Sequence, residues 1–147
     1  MELREINIAE WTQVGEGGNG KTYVNAEEPG VVLKLSKGAL GSLEAVRKEY
    51  EVSRAVNALG VPSPAMHEMV RADGAYGTLS ELIKDKKSLG RMCADDPSRI
   101  EEMAEVLARE GLRLHALPCD TGFFPSRKVQ LGEALKSLTE KEQKVIL

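Results

Sequence analysis

The sequence predicts an α+β fold: a five-stranded antiparallel sheet with one inserted helix, followed by a helical segment. Three observations predict it. Short β-prone runs within the first 35 residues are divided by turn signals that leave no room for a helix between them. One amphipathic stretch, Ser42 to Leu59, follows the third run. Beyond residue 88 the apolar positions recur at helical spacing.

Ile6, Ile8, Trp11 and Val14 are apolar positions leading into a glycine-rich stretch and read as the first strand. Lys21 to Asn25 is short and rich in strand formers. Glu27-Glu28-Pro29-Gly30 is a turn, since proline fixes φ and glycine tolerates positive φ. Val31 to Leu35 is a third strand, apolar except for Lys34. Ser42 is the N-cap of a helix to about Leu59, and Gly60 stops it. Leu43, Val46, Tyr50, Ser53 and Val56 share one face of that helix, with Glu49 on or beside it. An acid on a buried face requires a partner. Val61-Pro62-Ser63-Pro64 cannot continue the helix. Met66 to Ala72 and Ala75 to Ile83 flank Asp73-Gly74, a strong hairpin signal.

The charged connector Lys84 to Ser88 divides residues 1–84 from the helical residues 85–147. Asp96-Pro97 reads as a cap followed by the first helical position, and Ser98-x-x-Glu101 as a capping box. The helix behind them carries Met103, Val106, Leu107, Leu114 and Leu117 and ends at Pro118. Residues 118–128 read as a loop, Val129 to Leu138 as a helix, and Thr139-x-x-Glu142 as the start of another.

Composition narrows the function classes. With 41% hydrophobic and 29% charged residues, the chain has the balance of a globular protein with a core of its own. A net charge of -3 with both signs interspersed argues against nucleic acid or an anionic membrane as the main partner. Cys93 and Cys119 are too few for a disulfide framework and lack metal-ligand spacing. No apolar run reaches bilayer length, and Met1 to Glu5 has no signal-peptide core, so the expected compartment is the cytoplasm.

The stretch Gly15-Glu16-Gly17-Gly18-Asn19-Gly20-Lys21-Thr22 fits two phosphate-binding patterns. As G-x-x-x-x-G-K-[ST] it is a P-loop using Lys21. As G-x-G-x-x-G it is the glycine loop of a kinase or of a dinucleotide fold. The P-loop and the dinucleotide loop both need a helix directly behind them. Only Tyr23 to Glu28 separate Thr22 from Pro29, which is too short. A flap between two antiparallel strands fits best, and a glycine-rich hairpin without a ligand remains the plain alternative. Lys34, isolated in an apolar strand, is then the phosphate-facing cation, and Glu49 on the next helix its carboxylate partner. Plainer readings stand beside these: a strand lysine reaching solvent, and a surface glutamate.

With these residues the chain resembles the protein-kinase-like fold, and within it the aminoglycoside phosphotransferase and choline kinase-like family. Arg47 to Val52 and Leu59 to Pro64 look like that family's helix and its exit into the next strand. Ser80 to Ile83 looks like the hinge, and Leu112 to Leu117 like the end of the first long helix of the C-terminal lobe. The resemblance implies an N-terminal lobe over residues 1–84 and the first helices of a C-terminal lobe over 85–147. It implies ATP with Mg2+, and transfer of the γ-phosphoryl group to a hydroxyl of a small molecule. Gly15, Gly17, Gly18, Gly20 and Lys34 would hold phosphates, Glu49 would orient Lys34, and Glu81, Leu82 and Ile83 would line the adenine site.

Two departures from the family pattern follow. The hinge of the family runs on into a glycine where this chain has Asp85. Catalysis there needs an Asp in an H-x-D loop and a further Asp for magnesium. His67 is followed by Glu68-Met69 and His115 by Ala116-Leu117, so neither starts such a loop. The expectation is a chain with no catalytic residue and no metal ligand of its own: a truncated phosphotransferase inactive alone, or a nucleotide- or partner-binding module. The apolar face of the helix before Pro118 predicts a chain that is marginal alone, self-associates, or is part of a longer protein.

Overall fold

Period-two alternation sorts the first part of the chain into a sheet with two unlike faces. The computed structural model describes residues 3–120, 122–124, 130 and 136. In it β1 (Arg4–Glu5), β2 (Thr12–Gly17), β3 (Gly20–Val24), β4 (Val31–Ser36), β5 (Met66–Ala72) and β6 (Ala75–Glu81) form one sheet. The strand order is β1-β5-β6-β4-β3-β2, six strands rather than the expected five. The additional strand β1 runs parallel to β5, and the other ladders are antiparallel.

The sixth strand corrects the reading of Ile6 to Val14 as one strand. β1 and β2 follow one another in the chain yet lie at opposite edges of the sheet. The segment between them therefore crosses a sheet face. It makes a 3-10 turn at Ile8–Glu10, whose cap Asn7 accepts a hydrogen bond from the Ala9 N–H at 3.3 Å. The crossing lays Ile6 and Trp11 onto Leu33, Leu35, Val70, Ala72 and Leu79, with Ile8, Tyr23 and Val31 packed alongside. This is the core of the sheet's first face. Val14 is not part of it. It is the extra residue of a bulge between Gln13 and Gly15 and is largely exposed.

The second face carries Val32, Lys34 and Ser36 of β4, and α1 (Leu43–Ala58) lies against β5 and β6. Ser42 caps α1 as expected, its hydroxyl accepting from the Ala45 N–H at 3.2 Å. Val46 is buried, and Gly60 leaves the helix at φ 80°. The turn at Pro29-Gly30 closes through Val31 N–H to Glu28 O at 3.3 Å, with Gly30 at φ 88°. The β5–β6 hairpin turns on Asp73 and Gly74, both at positive φ, as a mirror-image turn requires. β6 stops at Glu81 rather than Ile83: Glu81 pairs with Val31, the first residue of β4, and the Leu82 N–H makes one more bond in the same register, to Gly30 O at 2.8 Å. Asp85 holds a left-handed φ of 51°, a region that glycine enters most freely.

After the connector come α2 (Leu89–Asp95), a 3-10 turn at Pro97–Arg99, and α3 (Ile100–His115). Asp96 is the cap, accepting from the Ser98 N–H at 3.1 Å with Pro97 behind it. The expected Ser98 capping box does not form: the Ser98 hydroxyl donates to the Asp96 carboxylate at 2.6 Å. α3 ends at His115, two residues before the expected Leu117. Among the described residues no helix is long and apolar enough to cross a membrane.

Two compact units divide the chain, residues 1–114 and 115–147. In the second, Asp120 O accepts from the Phe124 N–H at 2.7 Å, and the rings of Phe123 and Phe124 meet edge to face at 4.8 Å. The expected helices Val129 to Leu138 and from Thr139 onward lie outside the described residues, apart from Gln130 and Lys136.

Candidate functional site

The spacing G-x-G-x-x-G has a direct meaning in a hairpin. Gly15 and Gly17 are two apart in β2 and so share a face. Gly18 and Asn19 make the turn, and Gly20 opens β3 opposite Gly17. Thr22 lies opposite Gly15 on one side and Lys34 on the other, and Lys34 lies opposite Thr78. Gly15, Gly17, Gly20, Thr22, Lys34 and Thr78 therefore belong to one face, the second. A cleft of about 520 Å3 opens there, lined by the stretch from Gly15 to Gly20 with Thr22 and Lys34.

The glycines are of two kinds. A Cβ on Gly20 would run into Leu35 O, and one on Gly15 would lie 2.6 Å from Thr22 Oγ1. The backbone demands glycine at Gly20, whereas at Gly15 the Thr22 side chain would have to turn away. Gly17 and Gly18 have nothing within 4 Å of where a Cβ would stand, and neither has positive φ. The fold does not require glycine at either position. What its absence of a side chain provides is open access to the backbone amides of the cleft. A further glycine went unnoticed in the sequence: a Cβ on Gly77 of β6 would run into Lys34 O. An isolated glycine inside a strand pattern is the signal that could have found it.

Lys34 Nζ meets Glu49 Oε1 at 2.5 Å, and both side chains are about one-third exposed (32% and 35%). The pairing follows from the helix: Glu49 stands one turn after Val46, which is buried. A second cavity of about 250 Å3 lies behind the pair, between Val52, Ser53 and Val56 of α1 and Met66, Thr78 and Ser80 of the sheet.

The hinge stretch is placed differently. The Glu81 N–H donates to Ala65 O at 2.8 Å, and the Glu81 carboxylate accepts from the Ala65 N–H at 3.1 Å. The Leu82 N–H is held by Gly30 O. Ser80 lines the smaller cavity, while Glu81, Leu82 and Ile83 line neither.

Lys21 lies on the opposite face, across from Leu35 and Glu16. β3 continues straight through it to Val24. The P-loop reading is thereby overturned, because that loop needs a helix and its lysine at the phosphates. Lys21 instead stands 4.0 Å from Glu16, and Lys37 Nζ donates to Glu16 at 3.1 Å. The Lys37 hydrogen bond and the two lysine charges hold the Glu16 carboxyl below the usual glutamate range. The Lys37 N–H also donates to Asn19 O at 3.1 Å, which ties the turn of the flap to the end of β4.

Neither histidine lines the cleft: His67 is in β5, where its carbonyl accepts from the Tyr50 hydroxyl, and His115 closes α3. Among the described residues no three His, Cys, Asp or Glu side chains gather to hold a metal ion. Comparison with curated proteins finds no match. The model of the phosphotransferase enzyme family (APH) matches residues 10–145, a span that takes in the flap, the Lys34–Glu49 pair and α3, and the chain belongs to that family.

Proposed function

We propose that this chain is the ATP-binding part of a small-molecule phosphotransferase, one that moves the γ-phosphoryl group of ATP to a hydroxyl in the manner of the aminoglycoside phosphotransferases. The observation that carries this reading is the pair of glycines, Gly17 and Gly18, that the fold does not need, set above the same cleft as Lys34. Amides of the flap take the phosphate oxygens, Lys34 offsets their charge, and Glu49 holds Lys34 in place. Val24, Val32 and Ser80 form the next row on the same face, about 7 Å along the strands from Thr22, Lys34 and Thr78. That row offers the base an apolar bed on the side of Glu81, Leu82 and Ile83. With the Glu81 and Leu82 N–H groups already engaged, the hinge reaches the base through carbonyls and the Ile83 N–H.

The family implies magnesium with the ATP; since no three His, Cys, Asp or Glu side chains gather among the described residues, no step is assigned to the ion. Neither histidine begins an H-x-D sequence. The 147 residues accordingly bind nucleotide without transferring phosphate by themselves, and the functional division falls at the connector Lys84 to Ser88. The same fact favours a second reading, a kinase-like module that holds nucleotide or a partner without chemistry. Calorimetric titration with ATP tests the site. The expected result is binding by the wild type, a loss of about 10–100-fold in Lys34→Ala, as for a hydrogen bond to a charged group, and no change in Lys21→Ala. A Lys34→Ala variant that binds as the wild type does would sink the reading. Phosphate transfer above background from ATP to a panel of hydroxylated acceptors would sink the inactive-alone part.

A further inference from the structure

On the first face, behind the flap, a cavity of about 220 Å3 opens beside the crossing segment. Its floor is apolar, made by Ile8, Tyr23, Leu35, Ala72 and Ala75. Lys21 and Lys37 line one side and share a single counter-ion, Glu16. Asp73 lines it too, at the tip of the β5–β6 hairpin, and is not within ion-pair distance of either lysine. Within ion-pair distance, two ammonium groups meet one carboxylate at the flap end. An apolar floor with a cationic end is complementary to a small amphiphilic anion, with a body about the size of one ring and a single carboxylate.

We propose that this cavity binds such a carboxylate and that its occupancy loosens the glycine flap. Lys37 holds the flap twice, by its N–H on Asn19 O and by its Nζ on Glu16, each at 3.1 Å. A bound carboxylate competes for Lys37 and Lys21. Glu16 then stands unpaired at the rim of the 520 Å3 cleft, which it lines. A bare negative charge there opposes phosphate, and the flap has lost one of its two ties to Lys37. Nucleotide affinity therefore falls by about two- to fivefold, the range an exposed ion pair can supply. The coupling rests on the nucleotide reading above, whereas binding in the cavity does not.

Trp11 is the one tryptophan of the chain, and it shares the core cluster with Leu35 and Ala72 while Ile8 packs against that cluster. Its fluorescence reports on the cavity without any nucleotide. The full chain is titrated with phenylacetate, with acetate and 2-phenylethanol as controls that each lack one half of the ligand. A saturable change is expected with phenylacetate alone, equal in the wild type and Lys34→Ala, weakened about fivefold in Lys37→Ala, and as tight or tighter in Asp73→Asn. Saturating phenylacetate should raise the Kd for ATP by about two- to fivefold in the wild type and leave it unchanged in Glu16→Gln. No saturable signal, or binding untouched by Lys37→Ala, overturns the site. An ATP affinity indifferent to phenylacetate overturns the coupling. If ATP does not bind at all, the nucleotide reading falls while the tryptophan titration still decides the site.

Discussion

The Lys34–Glu49 pair separates a structural from a functional role for a single bond. An ion pair that is about one-third exposed contributes about 1 kcal/mol or less to folding once solvent screening is counted. Glu49→Gln should therefore shift the melting temperature only slightly. Its effect on nucleotide should be larger, about tenfold in Kd, because an untethered lysine must be ordered again on binding. A variant that unfolds readily yet binds ATP normally would show the pair to be structural. Glu16 makes a second test, by pH. Its carboxyl is depressed in the folded chain, first by the hydrogen bond from Lys37 and then by the charges of Lys21 and Lys37. A depressed carboxyl contributes stability that is present above the ordinary value of 4.5 and is lost as pH falls through the lower folded value. Hydrogen exchange at the Lys37 amide, which bonds Asn19 O, should rise relative to the rest of the sheet on acidification through that window, and Glu16→Gln should remove the extra rise.

The flap hairpin, as an element, predicts opposite outcomes for glycines that look alike in sequence. Gly20→Ala and Gly77→Ala press a methyl group onto the carbonyls of Leu35 and Lys34, on either side of β4. Each should cost about 1–3 kcal/mol, the range for overpacking, in chemical denaturation. Gly17→Ala and Gly18→Ala meet nothing within 4 Å and should stay within about 0.5 kcal/mol of the wild type, while ATP affinity drops. If ATP affinity is kept in both, the flap is a plain hairpin. The same element shows what could be read from the sequence. The Ser42 cap and the Asp73-Gly74 turn follow from local rules and are where those rules put them, and Glu49 on its half-buried helix face meets Lys34. The path of Ile6 to Trp11 was not legible, because an apolar pair two residues apart fits a strand and a crossing segment equally well. Only the positions of β1 and β2 at opposite edges decide. The end of β6 was hidden for a similar reason: it matches the start of β4 at Val31, the residue across from Glu81, and no local pattern carries that pairing.

Over the molecule as a whole, apolar covering is uneven. The first face of the sheet is closed by the crossing segment, and α1 packs on the second. α3 has no such cover along one stripe. Ile100, Leu107 and Leu114 recur every seven residues and are 57%, 65% and 45% exposed. Fully burying an aliphatic side chain gains roughly 1.5–3 kcal/mol. Three side chains a little over half exposed therefore forgo about 2.5–5 kcal/mol, a sizeable part of the roughly 5–15 kcal/mol that holds a domain folded. The prediction is that a second copy covers the stripe. Sedimentation velocity should show a weight-average mass that rises with concentration. The double variant Leu107→Glu, Leu114→Glu should sediment as a monomer while keeping ATP binding and the melting temperature measured at high dilution, since neither side chain is buried in the free chain. A wild type that stays monomeric across that concentration range would mean that the stripe of α3 drives no association.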